Sequence, residues 1–172
     1  MRYYDTFDSP QGGMLLVASD DSLTGVYFDR QKHHPKLATD WKENPRHKLL
    51  RQAKRELEEY FCGKRKRFEV ALDPEGTPFQ RAVWKAISTV GFGKTISYGE
   101  LARRAGHPGC ARAAGAATGR NPLGIIVPCH RIMGSDGSLT GYAGGLNRKR
   151  ALLELEGAAR DLLPTSGIAK EA

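Results

Sequence analysis

The sequence has few cysteines and no long apolar run, and each shortage argues against a class of protein. Only three cysteines occur among the 172 residues, at positions 62, 110 and 129, and no two of them form a CxxC pair. An odd number of widely spaced thiols fits a reducing cytoplasm better than a disulfide scaffold or a zinc site. No apolar run approaches the length of about 18 residues that a membrane helix needs, and no charged-then-apolar leader is present. We therefore expect a soluble, cytoplasmic protein with no membrane partner.

Acidic residues are scarce in the middle of the chain, and positive charge concentrates there. Residues 94–150 carry nine Lys and Arg against two Asp and Glu, within a total net charge of +8. A concentrated positive field suits a polyanion such as nucleic acid, although a positive surface is also a common aid to solubility. The charge by itself favours a nucleic-acid partner.

The start of the chain predicts a small sheet and one helix. The turn signals SPQGG and DDS predict an antiparallel meander with the strands Arg2–Phe7, Met14–Ser19 and Leu23–Phe28. Residues 29–44 have no sustained period and are predicted to be loop. Asn44 followed by Pro45 is typical of a helix start, and the apolar spacing predicts a helix over 45–62 that covers the meander. Residues 68–72 are a candidate further strand.

Two capping boxes begin helices after residue 76. Each pairs a hydroxyl residue with Gln or Glu three positions later, Thr77 with Gln80 and Ser97 with Glu100. Pro78 stands at the first helical position of the first one, where its missing N–H costs nothing. The boxes predict helices from Pro78 to about Val90 and from Tyr98 to Ala105, the latter ended by Gly106.

A third helical stretch after Pro108 completes the outline of a helix-turn-helix. Its later part, residues 111–118, is almost all Ala and Gly. Such a helix offers few side chains for reading base edges but lets a backbone approach its partner closely, which suits core packing or a narrow groove. Composition alone favours core packing, and Arg112 keeps the DNA interpretation open.

The remaining pattern completes the predicted architecture. Residues 123–127 read as a strand, residues 141–145 as a flexible loop, and Asn147 as the cap of a last helix over 148–157. We expect an α/β (α+β) fold in three parts. These are a small antiparallel sheet with a helix over 1–75, a mainly helical winged-helix or helix-turn-helix-like domain over 76–157, and a flexible tail over 158–172.

Cys129 is the candidate nucleophile, in the stretch IIVPCHRIM at 125–133. A free thiol is mostly protonated at neutral pH, so a reactive cysteine needs a base or a positive field beside it. His130 and Arg131 adjoin Cys129 and are candidates for these two roles. The alternative is that Cys129 is a small buried hydrophobe and that His130 and Arg131 are surface residues.

Five ordered blocks resemble one family. They are FQRAVWKAI, ISYGELA, ARAAGAATGRNP, IIVPCHRI and GYAGGLNRKRALLELEG, and they run over residues 77–157 without obvious gaps. The sequence resembles the O6-alkylguanine-DNA alkyltransferases, suicidal DNA repair proteins, and residues 1–75 fit the family's N-terminal domain more loosely. The resemblance implies one irreversible transfer of an alkyl group from O6-alkylguanine in double-stranded DNA to Cys129, without a cofactor. It leaves open O4-alkylthymine as a second substrate and cooperative assembly of the monomer on DNA.

The resemblance also implies catalytic roles. His130 would deprotonate Cys129 through a water, and Glu156 would orient the imidazole. Asn121 would support the turn that holds the thiol. Tyr98 would donate to the guanine as it becomes the leaving group, and would crowd the DNA so that the base leaves the stack.

The small-residue helix would lie in the minor groove, with Arg112 filling the gap left by the flipped nucleotide. An alkyl carbon on guanine O6 lies inside a stacked duplex, so attack by a thiolate requires that the base is extruded. The further residues that we expect to contact DNA are Ala113, Gly115, Ala116, Thr118, Arg120 and Arg131. Those that we expect to wall the base pocket are Val127, Pro128, Tyr142, Ala143 and Gly144.

Two departures from the family pattern are visible. Ala143 stands where many relatives carry a serine, and residues 1–75 lack the cysteines that some relatives use for zinc, so we expect no metal. Two other functions compete with repair. A regulatory winged-helix protein would use the basic charge but not the Cys-His-Glu set, and a thiol hydrolase of small molecules would leave the basic segment unused.

Overall fold

The computed structural model describes residues 1–158. The tail predicted at 158–172 lies outside the described residues except for Ala158, which is buried and donates its N–H to the Leu153 carbonyl. The chain forms two compact units. The first contains residues 1–75 and 122–126, and the second contains residues 76–121 and continues from Val127.

The first unit is built on a four-stranded sheet in the order β3-β2-β1-β4. The antiparallel meander is present as predicted, with the strands β1 (Tyr3–Ser9), β2 (Gly12–Ala18) and β3 (Leu23–Phe28). The prediction of loop throughout 29–44 was wrong at β4 (Lys42–Glu43), which pairs with β1 in parallel. Lys42 and Asn44 donate their N–H groups to carbonyls of Arg2 and Tyr4, so this strand depends on the free edge of β1 and has no local signal.

The helix of the first unit, α1 (Lys48–Phe61), starts later than predicted. Its N-cap is His47, whose Nδ1 accepts from the Leu49 N–H at 3.2 Å. Asn44 instead accepts from the Arg46 N–H in the turn before the helix, so the predicted cap was wrong. The buried face of α1, at the helical spacing expected for a helix that covers a sheet, consists of Leu50, Ala53, Glu56, Leu57 and Tyr60.

Two segments predicted as strands are irregular. In residues 68–72 only Leu72 makes a bridge, to Leu23, and the N–H groups of Glu69 and Val70 are satisfied by the Glu56 carboxylate rather than by a neighbouring strand. In residues 123–127, Leu123 bridges to Val26, and then Ile125 has a φ of +68°. A left-handed isoleucine ends the extended conformation, so the apolar run is a buried turn.

The described part of the second unit contains four α-helices and a two-stranded parallel pair. The helices are α2 (Pro78–Ile87), α3 (Tyr98–Arg104), α4 (Ala111–Gly119) and α5 (Leu146–Leu155), and the strands are β5 (Ile96–Ser97) and β6 (Ile132–Met133). The helix-turn-helix is formed by α3 and α4, and the predicted α+β fold class is confirmed. No helix within residues 1–158 has the length and apolar character that crossing a membrane requires.

The capping predictions had mixed outcomes. Thr77 and Gln80 form the reciprocal box as predicted, although α2 ends before Val90. Ser97 caps α3, but the Glu100 carboxylate binds arginines of the next turn instead of returning to the N-cap. The predicted starts at Pro108 and Asn147 were wrong, since α4 starts after Cys110 and α5 starts after Gly145, neither with a side-chain cap bond.

Candidate active site

Cys129 lies at the start of a single 3₁₀ turn, Cys129–Arg131, directly after the buried turn. The Asn121 amide, just beyond α4, donates from Nδ2 to the Cys129 sulfur at 3.2 Å and to the Val127 carbonyl at 2.9 Å. The Cys129 N–H also donates to the Val127 carbonyl, at 2.7 Å. Asn121 therefore ties the end of one helix to the loop that carries the thiol, and only 6% of Cys129 is exposed.

The Glu156 carboxylate, at the C-terminal end of α5, binds the two residues that follow the thiol. His130 Nε2 lies 2.7 Å from Glu156 Oε2. Arg131 donates from Nε to Oε1 at 2.8 Å and from Nη2 to Oε2 at 2.9 Å, in a two-pronged ion pair. All three side chains are buried, so the permanent positive charge of Arg131 balances the carboxylate in a low dielectric.

This arrangement fixes the tautomer of His130. An ionised carboxylate only accepts hydrogen bonds, so Nε2 carries the proton and Nδ1 is left as an acceptor. Nδ1 is buried and has no hydrogen-bond partner within the described part of the chain. The site therefore holds a neutral imidazole on the residue that follows Cys129, and the lone pair of its Nδ1 is available to accept a proton.

The pKa directions follow from burial and these contacts. Burial raises the pKa of the Cys129 thiol, and the Asn121 amide and the Lys149 ammonium act against it. Burial lowers the pKa of His130 against the pull of Glu156. Burial alone would raise the pKa of Glu156, but its hydrogen bonds and ion pairs with His130 and Arg131 lower it well below its usual value. The resting site thus contains a protonated thiol, a neutral imidazole and a carboxylate.

Lys149 is a buried residue near the thiol that the sequence did not lead us to expect in the site. Its side chain is fully buried, and Nζ donates to the carbonyls of Ile132 at 2.6 Å and Thr140 at 2.7 Å. Burial lowers its pKa to about 8, while the nearby Cys129 acts to raise it. In the sequence it stands within RKR at 148–150, which reads as a solvated basic run. The spacing to Leu152 and Leu153 on the buried face of α5 was the available signal.

The tyrosines predicted for the site lie close to the thiol. Tyr98 begins α3, and Tyr142 lies in the loop before α5. Burial raises the pKa of both phenols, and the proximity of an ionised Cys129 raises them further. The other residues predicted to wall a pocket are the buried Val127 and Pro128 and the half-buried Ala143 and Gly144.

The predicted DNA contacts divide into exposed and buried residues. Gly115 lies against the Tyr98 ring, since a Cβ added to this glycine would stand 3.7 Å from atoms of the ring. The small residue therefore allows close approach of α4 and α3. The side chains of α4 and its C-cap that are free to meet a partner are Arg112, Ala113, Ala116 and Arg120.

Two of the residues predicted to contact DNA, Thr118 and Arg131, are buried and bonded inside the second unit. Thr118 is buried and donates its hydroxyl to the Ala114 carbonyl at 2.7 Å, within its own helix. Arg131 is 6% exposed and is held by Glu156 and by the Val90 carbonyl, so its charge serves the interior of the site. Within residues 1–158, no group of three or more His, Cys, Asp and Glu side chains is placed to hold a metal ion.

Comparisons with known proteins point to one family along most of the chain. Residues 78–158 match the family model for the 6-O-methylguanine DNA methyltransferase DNA binding domain, and residues 2–74 match that for its ribonuclease-like domain. The methylated-DNA–protein-cysteine methyltransferase of Methanosarcina acetivorans is 47% identical over 91% of this chain and 99% of its own length. The protein of that name from Mycobacterium tuberculosis is 49% identical over 91% of this chain and 93% of its own. The crystal structure of Mycobacterium tuberculosis OGT in complex with DNA superposes with a TM-score of 0.84 at 47% identity, covering 91% of this chain and 94% of that one.

Proposed function

Since the chain belongs to the 6-O-methylguanine DNA methyltransferase family, we propose that it repairs DNA by moving the alkyl group of O6-alkylguanine onto its own Cys129. Its partner is DNA, and its enzyme class is that of its relatives, methylated-DNA–protein-cysteine methyltransferase. The choice of Cys129 as acceptor and the roles of its neighbours are inferred from the geometry of this chain.

The observation that carries the proposal is a thiol held by the Asn121 amide and followed directly by His130, whose Nε2 is held by Glu156 and whose Nδ1 is buried without a partner in the described part of the chain. A thiol beside a base that is itself oriented by a third group is the arrangement of an activated nucleophile. In a purely structural cysteine, neither a neutral buried imidazole with a free Nδ1 nor a buried ammonium near the sulfur would be needed. The cost of burying these groups supports a chemical role.

Activation of the thiol requires that its proton leaves a buried site. One water between Cys129 and His130 Nδ1 would carry the proton from sulfur to the imidazole, which Glu156 stabilises as it becomes charged. Asn121 and Lys149 stabilise the thiolate that remains. The raised pKa of the resting thiol protects it from other electrophiles until the substrate arrives.

Transfer then exchanges one bond for another. The thiolate attacks the alkyl carbon, the C–O6 bond breaks, and its electron pair stays with the guanine. Tyr98 donates its proton to the base as this charge develops, so the leaving group departs neutral. The product on the protein is a thioether, and no described group offers a way to cleave it, so each molecule reacts once.

Access to the alkyl carbon requires an extruded base. The exposed face of α4 carries only small side chains and Arg112, which suits close approach to a minor groove with the arginine inserted into the stack. Arg112 then occupies the space left by the nucleotide and offsets part of the cost of unstacking. We propose that the protein acts as a monomer in the cytoplasm, and O4-alkylthymine stays a candidate second substrate.

Replacement of the acceptor tests the proposal. Cys129→Ser should bind duplex DNA containing O6-methylguanine with unchanged affinity and transfer no alkyl group, as measured by radiolabel retained on the protein. Cys110→Ser, which removes an exposed thiol of the same unit, is the control and should transfer fully. Transfer by Cys129→Ser would refute the assignment, and repeated turnover by the wild type would indicate a hydrolase.

A further inference from the structure

Two buried side-chain polar atoms within the described part of the chain have no hydrogen-bond partner, His130 Nδ1 and Thr140 Oγ1. The first is the acceptor already used to activate the thiol. The second belongs to a residue with no role in the steps described above. A buried hydroxyl without a partner is costly, so its position calls for a reason.

The backbone around Thr140 brings it to the side of Tyr98. The Thr140 methyl group lies 3.3 Å from where a Cβ on Gly134 would stand. Gly134 follows Met133, which is the strand partner of Ser97, and Ser97 immediately precedes Tyr98. The Thr140 carbonyl is held at 2.7 Å by Lys149 Nζ, so this segment is anchored from its other side.

The Thr140 hydroxyl is the neighbour of the Tyr98 phenol. Burial raises the pKa of Tyr98, and hydrogen bonding from Thr140 lowers it. The two hydroxyls are within reach of each other but do not meet full hydrogen-bond geometry, which leaves Thr140 Oγ1 unpaired at rest. A small movement of the phenol would complete the bond.

We propose that Thr140 is a positioning residue that donates a hydrogen bond to the Tyr98 phenol oxygen and thereby makes Tyr98 a better proton donor to the extruded base. The inference rests on the proposed function, because it concerns the proton that the leaving guanine receives. As the C–O6 bond breaks, the proton passes from Tyr98 to the base and the phenol oxygen becomes negative. A hydroxyl donor beside that oxygen stabilises the charge. After the base departs, the proton that His130 took from the thiol is released to water and Tyr98 takes one from water, so the protein is left with no added charge.

Lys149 does not fill this role, although it is close. Its ammonium directs hydrogen bonds to the carbonyls of Ile132, Thr140 and Gly141. The Thr140 hydroxyl is therefore the donor for the Tyr98 phenolate, and the Lys149 ammonium stabilises the Cys129 thiolate. The two negative charges that form in the reaction have separate partners.

A double-mutant cycle tests the pairing of Thr140 with Tyr98. Single-turnover transfer rates from duplex O6-methylguanine are measured for the wild type, Thr140→Val, Tyr98→Phe and the double variant. Thr140→Val keeps the shape and the backbone carbonyl but removes the donor, and it should slow transfer about tenfold, as expected for one hydrogen bond to a charged group. In the Tyr98→Phe background the same change should alter the rate less than about twofold, because the oxygen it serves is gone. Equal losses in both backgrounds would overturn the proposal.

Four controls separate this outcome from loss of structure or of the proposed function. Thr140→Ser keeps the donor and should restore most of the rate, whereas a rate as low as that of Thr140→Val would contradict the role of the hydroxyl. Thr6→Val, the same change at an exposed site of the first unit, should have no effect, and thermal unfolding checks that each variant is folded. If the wild type gained no alkyl group on Cys129, the proposed function itself would fail before the cycle was interpreted.

Discussion

Among residues 1–158, each of the two units buries one glutamate, and the two carboxylates are satisfied in different ways. Glu56 on α1 is 1% exposed, and its oxygens accept from the N–H groups of Glu69 and Val70 and from the Gln52 amide. Glu156 after α5 is 6% exposed, and its strongest partners are an imidazole and a guanidinium.

The difference separates a structural use of a buried carboxylate from a chemical one. The donors to Glu56 are amide groups, which do not titrate, so this carboxylate fixes an irregular segment against a helix. Partners that can exchange a proton or balance a charge allow Glu156 to change the state of the residue next to the thiol. Buried ionisable groups mark chemistry only when they are connected to one another.

The largest expected effect is a loss of transfer rate when the Glu156 carboxylate is removed, with Glu56 as the comparison. Glu156→Gln should lower the transfer rate by about a hundredfold or more, because the imidazole loses the charge that stabilises its protonated form. Glu56→Gln should lower the free energy of unfolding by about 1–3 kcal/mol but leave the rate per folded molecule unchanged. Single-turnover kinetics with chemical denaturation measure both. Comparable rate losses in the two variants would remove the distinction.

Loss of the buried ammonium should have the next largest effect. Lys149→Met should slow transfer about tenfold and raise the apparent pKa of Cys129, since a positive charge that favours the thiolate is gone. The rate of thiol alkylation by iodoacetamide across pH reports that pKa. Lys54→Met, which breaks the 2.6 Å ion pair with Asp5 in the first unit, is the matched control. An unchanged thiol pKa in Lys149→Met would contradict the role.

Removal of Arg112 should affect only reactions that need an extruded base. Arg112→Ala should slow transfer from duplex DNA severalfold, because the vacated space in the stack is no longer filled, and should leave reaction with free O6-benzylguanine unchanged. Arg55→Ala, at an exposed arginine of α1, provides the comparison. An equal loss with duplex and free base would argue against an extrusion role.

The smallest effect concerns stability and pH. Burial lowers the pKa of His130, so below about pH 6.5 the unfolded chain binds a proton that the folded chain does not, and the free energy of unfolding rises with pH. The slope from this group cannot exceed about 1.4 kcal/mol per pH unit. Denaturation between pH 5 and 7 should show a positive slope that His130→Gln flattens and exposed His107→Gln leaves in place. A slope unaffected by His130→Gln would mean that the imidazole is charged in the folded state.

Local signals predicted the parts of the molecule that depend on neighbours in sequence. The Thr77 box with Pro78 starts α2 as expected, and turn residues placed the first three strands. The position of Glu156 relative to His130 came from family resemblance, because 26 residues separate the pair and no local pattern joins them.

Long-range contacts account for what could not be predicted. Asn44 and Pro45 look like a helix start, but the edge of β1 extends that segment and delays the helix to His47. An arginine is expected at the surface, but Arg131 is buried because the Glu156 carboxylate at the end of α5 pairs with it. Lys149 has the helical spacing of a buried position, but its ammonium can be buried only because carbonyls from a distant strand and loop accept its hydrogen bonds.

The most direct test of the account is the intact mass of the protein after reaction with excess duplex DNA carrying one O6-methylguanine, followed by peptide mapping. We expect a gain of one methyl group per molecule, located on Cys129, that does not increase with time or with further substrate. A reduced, DNA-bound protein whose mass is unchanged would contradict the account and indicate a protein that recognises the lesion without repairing it.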